Sequence, residues 1–314
     1  MRTSEREIKR YKRKTDGNVA VFLCVMMLIP FLNFCLSIYL NVSTVPLSFQ
    51  DFDVTTSKYV FVGFRNYVRL FQEITRSGSI FLVSIRNSLL FFLLNNAVLL
   101  PLSVIFSFFL NKKMPFAEFF RVVFFLPSII SAVVLTMLFL FMFDDSIGFM
   151  SSIFNALGLG DKIPQFGWFG DKRTALFLVM LYCFWVGIGG NILLLSSAIS
   201  RIPPELIEVG KLEGLSYWGE LFKVVLPLIG GTISVLFMQG VTVIFTMFLQ
   251  VKLLTNGGPL HSTYTIALYI TNAIRDDGNL TSGAAVGVLC AIVGTPIVLL
   301  FRKLMDKVFP DYQY

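Results

Sequence analysis

The stretch VVLPLIGGTISVLFMQGVTVIFTMFL, residues 224–249, contains no Asp, Glu, Lys, Arg or His. As a helix rising about 1.5 Å per residue, it is long enough to cross the roughly 30 Å hydrocarbon layer of a bilayer. Five further runs share these properties: Val19–Leu40, Ser88–Leu110, Val122–Phe143, Thr174–Ala198 and Ser282–Phe301. None has the period-two alternation of a barrel strand. A backbone in lipid must satisfy its own polar groups, so each run reads as a helix. Pro30, Pro101 and Pro127 lie inside runs, where neighbouring helices tolerate a kink. The expected fold is an all-α membrane protein with six transmembrane helices.

Composition supports the same class. Only 14% of the 314 residues are charged, against about 25% in soluble domains, and the mean hydropathy is +0.76. The net charge of +7 does not indicate nucleic acid, because the basic residues gather beside the apolar runs, where membrane topology accounts for them. Six spans put both termini on one side. That side carries sixteen Lys and Arg against ten on the other, and the Arg6, Lys9, Arg10, Lys12, Arg13, Lys14 cluster dominates the excess. Both termini are therefore expected in the cytoplasm. The first run has no small-residue cleavage site where a leader would need one, so it is expected to remain as a span. The organisation expected is a basic tail (1–18), a membrane domain (19–301) in contact with lipid, and a second cytoplasmic tail (302–314).

Spans without ionisable groups hold no proton relay and no intramembrane ion pair. The chain also lacks the Gly-x-x-x-x-Gly-Lys-Ser/Thr phosphate loop. Such a protein takes energy from a separate subunit, conducts passively, or is structural. Cys24, Cys35, Cys183 and Cys290 lie inside the runs without metal-ligand spacing and read as small packing residues. His261, the only histidine, reads as a solvated loop residue. The pairs Asp144-Asp145 and Asp276-Asp277 are the sole candidates for a membrane-embedded enzyme. Adjacent acids do not converge on one point, so no catalytic residue and no metal site is assigned.

The loop 199–223 is the informative one. It includes RIPPELIEVGKLEGLSYWGELFK, residues 201–223. A proline at 203 or 204 suits the first helical position, Glu205 suits the first turn, Gly214 suits a left-handed C-terminus and Ser216 suits the cap of a second helix. The product is a short charged helix, a tight turn and a helix leading into the fifth run. Residue physics leaves two readings open, a docking element and an ordinary connection.

The loop resembles the EAA motif of binding-protein-dependent ABC importer permeases. Glu208, Glu213-Gly214, Phe222, Val225 and Leu226-Pro227 stand at the motif's positions, after an Ile202-Pro203-Pro204-Glu205-Leu206 lead-in. Val209-Gly210 replaces the usual alanines and Glu213 the usual Asp. The segments Val62-Gly63-Phe64-Arg65-Asn66-Tyr67, Phe120-Arg121, Phe125-Leu126-Pro127, Leu254–Pro259 and Thr263 are similar to the carbohydrate-uptake branch, in particular to the maltose-permease F-like subunit. The resemblance implies a type I ABC importer transmembrane fold in a bacterial cell membrane. It also implies a second homologous permease subunit, and an ABC ATPase dimer that holds ATP and Mg while this chain binds no cofactor. Glu205, Glu208, Lys211, Glu213 and Gly214 would couple to the ATPase. An extracellular solute-binding protein would meet Asn256, Gly257, Gly258 and Pro259 and deliver a sugar or oligosaccharide. A glycerol-phosphate ester is the alternative solute, though an anion would favour cationic lining and the six runs contain none.

For the translocation path, Gln239, Thr242, Thr246 and Gln250 recur at helical spacing on the fifth run, and Cys183, Gly187 and Asn191 on the fourth. Asn95, Asn96, Ser103 and Ser107 mark the second. Amides and hydroxyls suit a neutral sugar. They equally suit hydrogen bonding between spans. Phe64–Phe71 alternates aromatic and basic residues and reads as a short interfacial helix or as a cap on the bundle.

Overall fold

The computed structural model describes residues 2–309 apart from Val54, Ser77, Lys113 and residues 276–278; for residues 2–16, Asn18 and Leu40 it describes the backbone alone. Asp276-Asp277, the tail beyond Phe309 and the side chains of the N-terminal basic cluster therefore lie outside the description. Helix α1 (Arg2–Ser48) continues past both ends of the first apolar run. An antiparallel hairpin follows, β1 (Gln50–Asp53) with β2 (Lys58–Phe61), pairing Gln50 with Phe61. It corrects the all-α expectation. The Asp53 carboxylate closes the turn by accepting from Thr55 N–H and Thr56 Oγ, both at 2.9 Å.

After α2 (Arg65–Thr75), the second run forms α3 (Ile80–Leu93), a π turn (Leu94–Leu99) and α4 (Leu100–Asn111). The third is not one helix. It breaks into α5 (Ala117–Ile129) and α6 (Ala132–Met142), bent by 106° where Ile130 is extended. Next come α7 (Phe149–Ala156) and α8 (Lys172–Ile199), the latter capped by Asp171, which accepts from Arg173 N–H at 2.7 Å. The chain continues with α9 (Pro204–Leu212), α10 (Tyr217–Glu220), a second π turn (Leu221–Val225), α11 (Leu226–Leu228) and α12 (Gly230–Thr246). The last helices are α13 (Leu249–Leu254), α14 (Ile266–Arg275) and α15 (Leu280–Val308).

The fifth run is likewise broken, by 78° at Ile229, and its helix stops at Thr246. Each π turn ends just before a Leu-Pro pair, Leu100-Pro101 or Leu226-Pro227. Proline offers no N–H to the carbonyl four residues back and crowds it; an extra residue in the turn relieves that crowding. Among the described residues, four helical stretches are each long and apolar enough to span a bilayer, or up to six if each bent pair is one span.

α8 is the centre of the bundle. Leu195 and Ile199 pack with Val104 and Phe108 of α4, Leu221, Ile229 and Ile233. Toward the other end, Tyr182, Val179 and Leu178 pack with Phe91, Leu135, Phe139 and Leu268. Lipid supplies no hydrophobic drive between helices, so close backbone approach matters. Gly189 provides it: a Cβ there would sit 2.0 Å from the Phe124 carbonyl of α5. Gly189→Leu should cost about 1–3 kcal/mol by overpacking. A lowered Tm in detergent checks this; an unchanged Tm would mean α5 is free to move away.

Candidate functional site

The ends of α4 and α8, the beginnings of α9 and α12, and the end of α15 gather at one end of the bundle. Ser200 Oγ donates to Asn111 Oδ1 at 3.1 Å, and Phe309 lies against Gly230, where a Cβ would be 2.6 Å from its ring. On this platform stands α9. Pro204 is its first residue, and Glu205 sits in the first turn. Gly214, at φ +74°, terminates it. Gly214 N–H bonds Lys211 O (3.0 Å) and Leu215 N–H bonds Gly210 O (3.1 Å), the paired pattern that ends a helix in a left-handed residue. The missing side chain at Gly210 lets Leu215 close underneath, since a Cβ would already be 3.3 Å from Leu215 Cδ1. Ser216 caps the next helix by accepting from Gly219 N–H at 3.2 Å.

Glu205, Glu208, Lys211, Glu213 and Gly214 are all exposed. So are Leu206, Val209 and Leu212, the last by 87%. Only Gly210 is buried. A charged helix of nine residues thus carries apolar side chains into the open, with one narrow face on the bundle. Glu208 and Lys211 border a cavity of about 850 Å³ together with Glu118, Arg121 and Ser200.

Sequence reading missed what holds this platform. Lys112 forms a bidentate ion pair with Glu220, whose side chain is only 5% exposed, and Lys112 Nζ lies 5.2 Å from the Phe108 ring and 5.8 Å from the Tyr217 ring. Asn111 accepts from Arg121 as well as Ser200 and donates to Ser107 O. The partners are 108 residues apart, and each looks like an ordinary loop charge in sequence.

On α12, Gln239, Thr242 and Thr246 form an exposed polar line. The threonine hydroxyls donate back to Gln239 O (2.7 Å) and Thr242 O (3.0 Å), leaving acceptor lone pairs outward. Gln250 does not share this helix. Met247 and Phe248 leave helical geometry, and Gln250 belongs to α13, so the four-residue face expected of one helix is corrected to three. Cys183, Gly187 and Asn191 are half-buried. Cys183 packs on the Phe91–Tyr182 core, and a Cβ at Gly187 would meet Leu99 at 3.2 Å, so this part of the α8 face packs against the second span. Ser103 and Ser107 are buried and donate to Leu99 O and Ile192 O. The Asn96 amide rests on Gly240, and its Oδ1 is buried without a partner among the described residues.

At the opposite end, the Asn256–Pro259 turn is held by hydrogen bonds from several sides. Asn256 and Gly257 have φ of +49° and +88°, and Gly258–Pro259 is cis. Thr263 Oγ pairs with Thr255 Oγ at 2.7 Å and donates to Gly258 O at 3.0 Å. Asn87 of α3 donates to Ser262 O and Tyr264 O, tying the loop to the second span. Asn256 is exposed, Gly257 is buried under Tyr264, and Gly258 and Pro259 are half-buried. The protruding tip is Leu260, 78% exposed, with His261, which packs on the Tyr264 ring at 4.9 Å.

A bundle of apolar helices with two broken spans, a platform helix at one end and an uncharged polar line on an exposed face has the architecture of a transport permease. Residues 99–309 match the model of the family described as binding-protein-dependent transport system inner membrane component, and the chain belongs to that family. It is similar to the diacetylchitobiose uptake system permease protein NgcF of Streptomyces coelicolor, with 28% identity over 78% of this chain and 72% of that one. It is also similar to the sn-glycerol-3-phosphate transport system permease protein UgpA of Yersinia pestis, with 27% identity over 83% and 86% of the two chains. A chain of the bacterial alginate ABC transporter, solved in complex with an alginate pentasaccharide-bound periplasmic protein, superposes with a TM-score of 0.76 over 93% of this chain and 96% of that one, at 21% identity. The fold is that of a type I ABC importer permease.

Proposed function

We propose that this chain is one of two homologous permease subunits of an ATP-driven importer, in a bacterial cell membrane, that takes up a sugar or oligosaccharide handed over by an extracellular solute-binding protein. In this reading each bent pair counts as one of six spans, and both termini and the platform helix α9 lie in the cytoplasm. There the ATPase dimer, carrying ATP and Mg, grips α9 around Glu208 with Glu205, Lys211 and Glu213. At the outer end, Asn256–Pro259 and the adjoining Leu260-His261 tip meet the binding protein. The basic excess on the terminal side and the phosphate-loop-free sequence support this arrangement.

The observation that carries the substrate class is the exposed line Gln239, Thr242, Thr246 on α12. A polar line left open within the membrane is costly against acyl chains but suits a water-filled path between two subunits. It carries hydrogen-bonding groups and no charge, which matches a neutral polyol better than an anion. The glycerol-phosphate reading draws on the likeness to UgpA, but it places a dianion in a path whose spans hold no cation.

Gln239→Leu should lower ATP-driven uptake of labelled oligosaccharide roughly tenfold, the worth of about one unmade buried hydrogen bond. The assay is uptake by proteoliposomes containing the assembled importer and its binding protein. Unchanged kinetics would return the line to a packing role, and preferential uptake of glycerol phosphate would replace the substrate class.

A further inference from the structure

Helix α2 displays three distinct stripes. Asn66 and Leu70 are buried and Ile74 is half-buried; Leu70 and Ile74 pack on the outer ends of α3, α14 and α15 through Phe81, Tyr269 and Val286. Phe64, Val68 and Phe71, spaced four and three residues apart, are exposed by 70%, 51% and 56%. Beside them run the exposed Arg65, Arg69 and Arg76, with Gln72 between. The helix cannot roll to hide the apolar stripe. Asn66 Nδ2 donates to Ser48 O and Gln50 O at 3.0 and 2.7 Å, Tyr67 OH donates to Ser48 Oγ at 2.7 Å, and Tyr269 OH donates to Glu73 at 2.7 Å. Arg69 is held by Asp51 at 2.9 Å, whereas Arg65 and Arg76 form no ion pair among the described residues.

The apolar stripe is continuous with a larger surface. The Phe64 ring stands on Phe49 at 5.3 Å, at the end of α1. α1 itself is exposed at every described apolar side chain from Val19 to Tyr39, and again at Val42 and Val45. The exposed apolar surface of α1 thus meets that of α2 at the Phe49–Phe64 contact, where the chain turns and guanidinium groups stand beside the α2 stripe. A soluble partner could match the apolar stripe alone; a bilayer interface matches both the bend and the adjacent cations, because acyl chains end where phosphates begin.

We propose that α2 lies in the bilayer interface at the end of the bundle opposite α9, with Phe64, Val68 and Phe71 sunk to the acyl boundary and Arg65 and Arg76 on lipid phosphates. This rests on the membrane-spanning reading of α1, and the test separates the two. Single nitroxide labels are placed at Phe31→Cys, Phe64→Cys, Phe71→Cys and Gln72→Cys, in a background with Cys24, Cys35, Cys183 and Cys290 replaced by alanine. The assembled importer is reconstituted in phosphatidylethanolamine–phosphatidylglycerol vesicles, and accessibility to oxygen is compared with accessibility to a water-soluble nickel chelate.

Labels at 64 and 71 should be oxygen-accessible and shielded from nickel, with the label at 72 reversed. If 64 and 71 are nickel-accessible while 31 is lipid-exposed, α2 faces water and the proposal fails, leaving a protein-docking surface. If 31 is nickel-accessible too, the membrane reading of α1 fails first. Combining Arg65→Gln with Arg76→Gln should reduce the seated fraction of the label at 71 about fivefold per arginine. A seated fraction that ignores both substitutions would overturn the phosphate contacts.

Discussion

Glu208→Gln is expected to abolish ATP-driven uptake while the protein still accumulates and folds. Glu208 is exposed midway along α9, a turn from Glu205 and Lys211, so its charge does nothing for the bundle's own packing. The surrounding helix ends are made by other residues: Pro204 begins it, and the Lys211 and Gly210 carbonyls close it at Gly214 and Leu215. A charge-assisted hydrogen bond lost at a protein interface costs about 1.5–3 kcal/mol, or roughly 10- to 100-fold in association. Co-purification of the ATPase and uptake in proteoliposomes are the measurements. Normal association and uptake would remove Glu208 from the coupling contact. A companion change at Leu212, 87% exposed, tests the apolar half of the same surface: Leu212→Ser should weaken ATPase association without lowering Tm.

The second large effect is expected at the ion pair beneath that helix. Glu220 is 3% exposed and Lys112 is mostly covered, so removing one charge strands the other out of water. Lys112→Met or Glu220→Gln alone should cost about 3–5 kcal/mol. Replacing both, as Lys112→Met with Glu220→Leu, should recover most of it, because two apolar groups of similar size need no compensation. Thermal unfolding in detergent measures this cycle. The uptake of the double variant is a separate readout: Tyr217 and the π turn after Glu220 connect α9 to α12, so a stable but transport-poor double variant would show that the charges position the platform. Equal Tm values for the two single variants and the native chain would refute a buried pair.

Much of this protein is legible in one dimension. Length and the absence of charge marked the apolar runs, because the cost of a polar group in hydrocarbon is paid residue by residue. Local stereochemistry was equally readable in the 199–223 loop: proline at a helix start, glycine at a left-handed end and serine at a cap depend on neighbours within four residues, and Pro204, Gly214 and Ser216 take those places. Periodicity was less dependable. It extended the polar line to Gln250, but the helix ends at Thr246, and it drew the third run as one rod where two helices meet at 106°. Hydropathy is blind to direction, so a bend leaves no mark in it beyond a proline such as Pro127.

What the sequence by itself determined is the solvent this chain folds in and the short-range geometry of its loops, since both follow from the transfer and backbone preferences of single residues. Tertiary structure alone decided which polar residues face outward and which are spent on packing. It set Gln239, Thr242 and Thr246 in the open, turned Ser103 and Ser107 inward, and joined Lys112 to Glu220. Those outcomes depend on which helices approach one another and how closely, down to the missing side chain at Gly189, and contacts between distant segments are encoded jointly by both partners.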